Sequence, residues 1–251
     1  MRVRIGAELA RLESEHRVRI LLAVESGSRA WGFPSVDSDY DVRFIYIGSL
    51  GDYLSVSARR DVIEQSIVDS LDVNGWDVRK ALQAALRSNA VLLEWLTSPV
   101  RYRDEPSLTR SLSDIARLAA RLPDLEYHYD RLARRNASEI GQSETPRLKA
   151  YCYAVRPTLA LRWLRQHRTP PPMDLPSLMQ GVTLPAPVTT AIRELVGRKA
   201  HANEARSTSR IAVLDTYVEE TLSREVSKPV RTPPAPDAAE RAQTFFTSLL
   251  L

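Results

Sequence analysis

Cysteine is nearly missing from this 251-residue chain: Cys152 stands alone. That excludes an internal disulfide framework and a cysteine-based zinc cluster. Histidine is scarce as well, and His16, His128, His167 and His201 show no metal-ligand spacing. No apolar run approaches the ~20 residues that cross a bilayer, and no signal-peptide pattern opens the sequence. The expectation is a cytoplasmic protein with no membrane partner. Internal repeats and low-complexity blocks are also absent. Only four lysines occur, so the basic charge is mostly arginine, a bias that genomic base composition alone can produce.

Hydrophobic residues at 43% and charged ones at 26% are those of an ordinary globular protein, and the length suits one large domain or two small ones. The net charge of +4 is unevenly spread: residues 1–105 hold 14 Lys/Arg against 16 Asp/Glu, and residues 106–251 hold 21 against 15. An acidic half beside a basic one suits a polyanionic substrate, a triphosphate or a nucleic acid.

Apolar spacing predicts an amphipathic helix over 2–15 and strands near 17–25 and 40–47. A loop is expected over 48–60, followed by strand candidates at 61–67 and 70–78. Val78, Ala81, Leu82, Ala85 and Leu86 then give a helical stripe, and a short helix holds Leu92, Leu93, Trp95 and Leu96. From 106 onward the periodicity is helical, with Pro157 expected to kink one helix. Four prolines in 227–237 predict an extended segment. The resulting division is a catalytic α/β region over 1–105, a helical domain over 106–226 and a Pro-rich extended tail over 227–251.

The chemistry concentrates between the first two strands, in Glu25-Ser26-Gly27-Ser28-Arg29 and Asp37-Ser38-Asp39-Tyr40-Asp41. On a strand, residues two apart share a face, so Asp39 and Asp41 present paired carboxylates. Like charges so close need a proton or a cation between them, and an all-oxygen site suits Mg²⁺. Asp37 reads as a turn former. Gly27 and Ser28 stand where a strand turns into a short helix, with backbone N–H groups and a hydroxyl suited to phosphate. A third carboxylate is either Asp77, which directly precedes a helix and is favoured, or Asp72, with Asp77 then an N-cap; Glu64 is more remote.

Gly27-Ser28, ten residues, then Asp39-x-Asp41 resembles the signature of the DNA polymerase β-like nucleotidyltransferase superfamily. Residues Glu25 to Tyr46, Gly75-Trp76-Asp77-Val78-Arg79-Lys80-Ala81-Leu82, Glu94-Trp95-Leu96-x-Ser98-Pro99 and Lys149 to Pro157 resemble its RlaP-type, RNA-repair-pathway branch, as do Arg162-Trp163 and Pro171-Pro172. The resemblance extends to about residue 225. It implies an α+β fold: a polymerase β-like mixed sheet with helices, then an all-helical C-terminal domain. It further implies two Mg²⁺ ions on Asp39, Asp41 and a third carboxylate, a nucleoside triphosphate donor, and attack by a hydroxyl on the α-phosphate.

Among possible phosphate ligands, Gly27 and Ser28 lead. Arg29 and Arg43 could touch phosphate or pair with nearby carboxylates. Lys149 and Arg156, seven apart and so on one helix face, suit a triphosphate or a structural ion pair; Lys80 could face the site or solvent. Tyr151 and Tyr153 suit packing better than base stacking. Arg162, with four residues before His167, loosely resembles an element of HEPN ribonucleases, although Trp163 replaces the polar residue after the arginine.

The leading functional reading is Mg²⁺-dependent transfer of a nucleoside monophosphate to a hydroxyl. The RNA-repair name points to an RNA end as acceptor and to an RNA ligase as a partner. The alternatives are a protein or small-molecule hydroxyl, as with AMPylating antitoxins and aminoglycoside nucleotidyltransferases, or a non-catalytic nucleotide or RNA sensor.

Overall fold

A computed structural model describes residues 1–57, 59–230 and 232–251. The chain forms two compact units. One comprises residues 1–27, 39–120 and 232–251, the other residues 28–38 and 121–231.

The first unit is built on a five-stranded mixed sheet. Its strands are β1 (Arg19–Glu25), β2 (Tyr40–Ile47), β3 (Val62–Glu64), β4 (Leu71–Asp77) and β5 (Arg101–Asp104), in spatial order β3-β4-β2-β1-β5. β2 and β4 run parallel and the other neighbours antiparallel. Helix α1 (Arg2–His16) covers one face through Ile5, Leu9 and Leu12, which meet Val42, Phe44 and Tyr46 of β2 and Leu71 and Val73 of β4. That face takes the even residues of β2 and the odd residues of β4. Gly75 belongs to it: a Cβ there would stand 2.2 Å from the Phe44 ring. The opposite face carries Asp41, Arg43, Asp72, Asn74 and Trp76, and the Trp76 ring packs 4.2 Å from Trp95 on α5 (Ala90–Leu96).

After β1 the chain makes a short helix α2 (Gly27–Trp31). Within the stretch expected as a loop, α3 (Leu50–Leu54) forms, fixed by a reciprocal cap in which Ser49 N–H donates to Asp52 at 2.8 Å and Asp52 N–H donates to Ser49 Oγ at 3.3 Å. Helices α4 (Val78–Leu86) and α6 (Pro106–Ala119) complete the unit.

Two expected boundaries shift. The helix at 106–119 belongs with the sheet unit, not with the later helices. The tail expected to be extended over 227–251 ends in a helix, α12 (Pro236–Leu250), which returns to pack on α4 and α6 through Ala238, Ala242 and Phe245. Pro236 sits in its first turn, where a missing N–H has no intrahelical partner to lose. The 3.6-residue spacing of the buried positions then drives the docking.

The second unit is helical: α7 (Leu122–Gly141), α8 (Leu148–His167), α9 (Leu175–Gly181), α10 (Ala186–Ala200) and α11 (Ala212–Leu222). α8 runs through Pro157 as one helix. The proline removes the N–H that would bond the Tyr153 carbonyl. Buried Asn136 on α7 takes its place, donating Nδ2 to that oxygen at 2.7 Å. Among the described residues no helix is long and apolar enough to cross a membrane.

Candidate active site

Asp41 and Asp72 stand abreast, Cα partners in the parallel β2/β4 ladder. Strands in a sheet lie about 4.8 Å apart, so two carboxylates on one face at that register are immediate neighbours. Asp39 lies just before β2 and is exposed. Burial, reinforced by the charges of Asp72 and Asp39 and opposed by Arg43, raises the Asp41 carboxyl above its ordinary range. Arg43 is the cation that joins the pair. Its Nη2 lies 2.7 Å from Asp72 Oδ2 and 3.2 Å from Asp41 Oδ1, and its Nη1 donates to the carbonyls of Val42 and Asp72 at 3.0 and 3.1 Å. Asn74 Nδ2 donates to the other Asp72 oxygen at 2.6 Å.

Glu25 fixes the backbone under this cluster. Its side chain is buried; Oε1 accepts the Asp41 N–H at 2.7 Å and Oε2 accepts the Tyr102 hydroxyl, whose pKa is pushed up by burial and by Glu25. The Ser98 hydroxyl donates to the Glu25 carbonyl at 2.7 Å, and Ser26 N–H donates to the Asp41 carbonyl at 2.7 Å. Gly27 closes onto Asp41. Its φ is +57°, and a Cβ there would fall 1.9 Å from Asp41 Oδ2, so both backbone and space require glycine.

Asp77 is not part of this cluster, contrary to its expected role as third carboxylate. It pairs in register with Tyr46, five residues beyond Asp41, or about 16 Å along the strand. Five is an odd offset from Asp72, so Asp77 faces the other side of the sheet. There it caps α4, accepting Arg79 N–H at 2.7 Å, and receives the Tyr53 hydroxyl at 2.8 Å. Burial raises its pKa, against the hydrogen bonds from Arg79 and Tyr53. Lys80 beside it pairs with Asp61 at 3.1 Å, and Glu64 pairs with Arg60.

Hard carboxylate oxygens of this kind suit a divalent cation such as Mg²⁺. The Asp41–Asp72 juxtaposition with Asp39 alongside fits that group; burial first, and then the charges of Asp72 and Asp39, raise the Asp41 carboxyl, and a bound cation would favour its ionised form. Among the described residues, no three His, Cys, Asp or Glu side chains already converge as metal ligands; Arg43 holds Asp41 and Asp72 instead.

The remaining expected ligands lie in the helical unit. Buried Ser28 donates its hydroxyl to Ser38 Oγ at 3.0 Å. Arg29 donates to the Ser38 carbonyl at 2.8 Å, bracing the 28–38 segment. Lys149 pairs with Glu204 and lies 5.3 Å from the Tyr153 ring centroid. Arg156 does not meet its expectation as a triphosphate ligand. It is 2% exposed, its Nε donates to the Met173 carbonyl at 2.8 Å, and its guanidinium stacks 4.5 Å from the Trp31 ring. Tyr153 packs edge-on to Trp31 at 5.3 Å, as expected for a packing residue. Tyr151 bonds Asp215 at 2.9 Å and receives Ile211 N–H at 2.8 Å.

Arg162 and His167 turn to separate partners, Thr221 Oγ1 at 3.3 Å and the Gly181 carbonyl at 2.7 Å, so they make no paired site. Burial pushes the Cys152 thiol up to about 12, which leaves it no thiolate chemistry near neutrality. Sequence reasoning did not assign Glu25, Asn74, Tyr102, Lys199 or Glu204; their roles depend on strand register or on contacts between distant segments.

A family described as the RNA repair pathway DNA polymerase beta family (RlaP) matches residues 1–248. An uncharacterized Bacillus subtilis (strain 168) protein, YcgL, is 41% identical over 224 residues, covering 89% of this chain and 86% of that one. Among solved structures, a nucleotidyltransferase-like protein from Exiguobacterium sibiricum 255-15 aligns over 98% of this chain and 79% of its own. Its identity is 11% and its TM-score 0.33, too slight a likeness to carry an inference.

Proposed function

The chain belongs to the RNA repair pathway DNA polymerase beta family, and from that premise we propose that it transfers a nucleoside monophosphate from a nucleoside triphosphate to a hydroxyl at an RNA end. The observation that carries the reading is the placement of Asp41 and Asp72 abreast on one sheet face, with Asp39 beside them and Gly27 fitted against Asp41. Asp39, Asp41 and Asp72 would hold two Mg²⁺ ions. Bound there, the metal lowers the pKa of the attacking hydroxyl and neutralises charge on the departing pyrophosphate.

The chain's own residues supply position and charge balance. Glu25 pins the backbone of Asp41, so the carboxylate arrives on a fixed strand. Arg43 keeps Asp41 and Asp72 together when no other cation is present. The backbone at Gly27 and the hydroxyl of the next residue, Ser28, are the phosphate ligands. Arg29 acts by bracing Ser38. Preorganised positioning and electrostatics of this type account for most of the rate enhancement in phosphoryl-type transfer. An RNA ligase sealing the modified end is the partner that this activity would serve.

The test is to incubate the protein with α-³²P-labelled triphosphates, Mg²⁺ and a panel of RNA ends. Label transfer that Asp39→Ala with Asp41→Ala abolishes supports the reading. Transfer indifferent to that double change removes the mechanism, and transfer only to protein or small-molecule hydroxyls replaces the acceptor.

A further inference from the structure

We propose that the exposed face of α7, together with the segment that follows α11, binds the phosphodiester backbone of an RNA strand. That the strand is RNA rests on the acceptor proposed above; the phosphate contacts rest on the helix itself.

The 20 residues of α7 divide by the helical period. Leu125, Tyr129, Ala133, Asn136 and Ile140 are buried. The opposite face presents Tyr127, Arg131, Arg135, Ser138 and the C-cap Gln142 at spacings of three and four, and its arginine end borders an open groove. Each of the helix's carboxylates is taken: Asp124 by Arg121 at 3.0 Å, Glu126 by Arg165 at 3.2 Å, Asp130 by Arg134 at 2.8 Å, and Glu139 by Arg147. Among the described residues the Arg131 and Arg135 side chains form no ion pair and no hydrogen bond. Like charges at i and i+4 weaken a helix, so the fold does not account for this pair.

Arg134 serves the fold instead. Its Nη2 donates to the carbonyls of Leu222 and Arg224 at 2.6 and 3.2 Å, while Arg121 Nη2 donates to the Val230 carbonyl at 2.8 Å. Segment 222–230 is thus tied along α7 in the reverse direction. It adds exposed Arg224 and Lys228, which form no ion pair among the described residues, against a single exposed acid, Glu225.

This chemistry fits a nucleic-acid strand. Arg131 and Arg135 stand about 6 Å apart, one turn from each other, and a guanidinium fork meets phosphate through parallel hydrogen bonds. Half-buried Tyr127, a turn before Arg131, offers a ring to a base. Ser138 and Gln142, joined by a 3.2 Å bond, add neutral groups for sugar and phosphate oxygens. A lipid surface fits less well. An interfacial helix needs large apolar side chains on its outer flank, and among the described residues none on α7 is exposed.

The test is fluorescence anisotropy of a short labelled single-stranded RNA with the full chain at several salt concentrations, with thermal melting in parallel. Arg131→Ala with Arg135→Ala should weaken binding at least tenfold and reduce the slope of log affinity against log salt by about 1.4, the loss of two phosphate contacts. The melting temperature should be unchanged or higher. Arg110→Ala with Arg117→Ala removes the same charge from exposed positions of α6 and should bind within twofold of wild type. Undiminished binding by the α7 variant, or an equal loss in the α6 control, overturns the surface. A wild type that binds no RNA overturns it too, including one that binds phosphatidylserine vesicles instead. Should the alanine pair fail to fold, Arg131→Gln with Arg135→Gln takes its place with the same outcomes. Label transfer reads the acceptor separately. Its absence, with RNA binding that depends on Arg131 and Arg135, removes the RNA acceptor and leaves the surface standing; transfer to RNA ends by a chain whose α7 variant binds normally does the reverse.

Discussion

Replacing Asp72 and Asp77 one at a time separates the chemistry of the carboxylate pair from the capping of a helix. Asp77→Ala removes an N-cap, which costs about 1 kcal/mol. It also leaves the half-buried Tyr53 hydroxyl without the oxygen it reaches at 2.8 Å, about 1–2 kcal/mol more. The side chain is 9% exposed, so water compensates little. The sum, about 2–3 kcal/mol, corresponds to a fall in melting temperature of roughly 5–10 °C for a chain of this size. Nucleotide transfer, measured well below that transition, should stay within about threefold of wild type. Asp72→Asn should do the opposite. Arg43 keeps Asp41 at 3.2 Å, and relief of the Asp41–Asp72 repulsion offsets part of the lost 2.7 Å ion pair, so stability should change by no more than about 1 kcal/mol. Transfer should fall by at least about a hundredfold, because a fixed charge at the reacting centre is gone. Circular-dichroism melts and α-³²P label transfer on both variants read the two effects separately. An inactive but fully stable Asp77→Ala, with an active Asp72→Asn, would refute the assignment of the third carboxylate.

Four further outcomes are expected. Asp77→Asn keeps a capping oxygen but removes the charge. Because burial raises the folded carboxyl above its ordinary value, the wild type's Asp77 contribution is fully present below the unfolded pKa and is lost as pH rises through the folded one; melting curves from pH 3 to 8 should show the variant gaining on wild type as pH increases. Gly27→Ala places a Cβ 1.9 Å from Asp41 Oδ2 at φ +57°; the left-handed backbone alone costs about 1–2 kcal/mol, so denaturant midpoints should fall and label transfer should be lost. Mg²⁺ with a triphosphate should raise the wild-type melting temperature by mass action, and in Asp39→Ala with Asp41→Ala that rise should vanish while the metal-free protein still folds. Asn136→Ala should lose about 1–3 kcal/mol by leaving the buried Tyr153 carbonyl unpaired; in a Pro157→Ala background the restored N–H should recover much of the loss, which urea titration of all four forms would show.

The strands and the Gly-Ser turn were legible because each is a local pattern: an apolar run and a turn residue. The spacing of two marked Asp41 but not its neighbour, since β2 begins at Tyr40 and leaves Asp39 outside the strand. Which aspartate of β4 stands beside Asp41 was not legible, although half of the answer lay in parity. Asp72 and Asp77 are five apart, so a strand holding both must send them to opposite faces, and only one can join Asp41. Which one depends on the β2/β4 register, fixed by segments 31 residues apart that sequence periodicity does not align. Arg156 failed for a related reason. Its helix position was read correctly, but α8 is buried on nearly every side, so spacing from Lys149 could not say which residue faces solvent. Such a helix has no amphipathic stripe to betray its orientation. The tail misled because its four prolines dominate the composition while its apolar residues, Ala238, Ala242 and Phe245, carry the helical period just beyond them. Lys199, Glu204 and the serines connect segments about 165 residues apart through side chains alone, and no backbone pattern records such bonds. Local signals thus marked Asp41 and the Gly-Ser turn, while the place of Asp72 beside Asp41, and of the residues around them, is set by register and by long-range polar contacts.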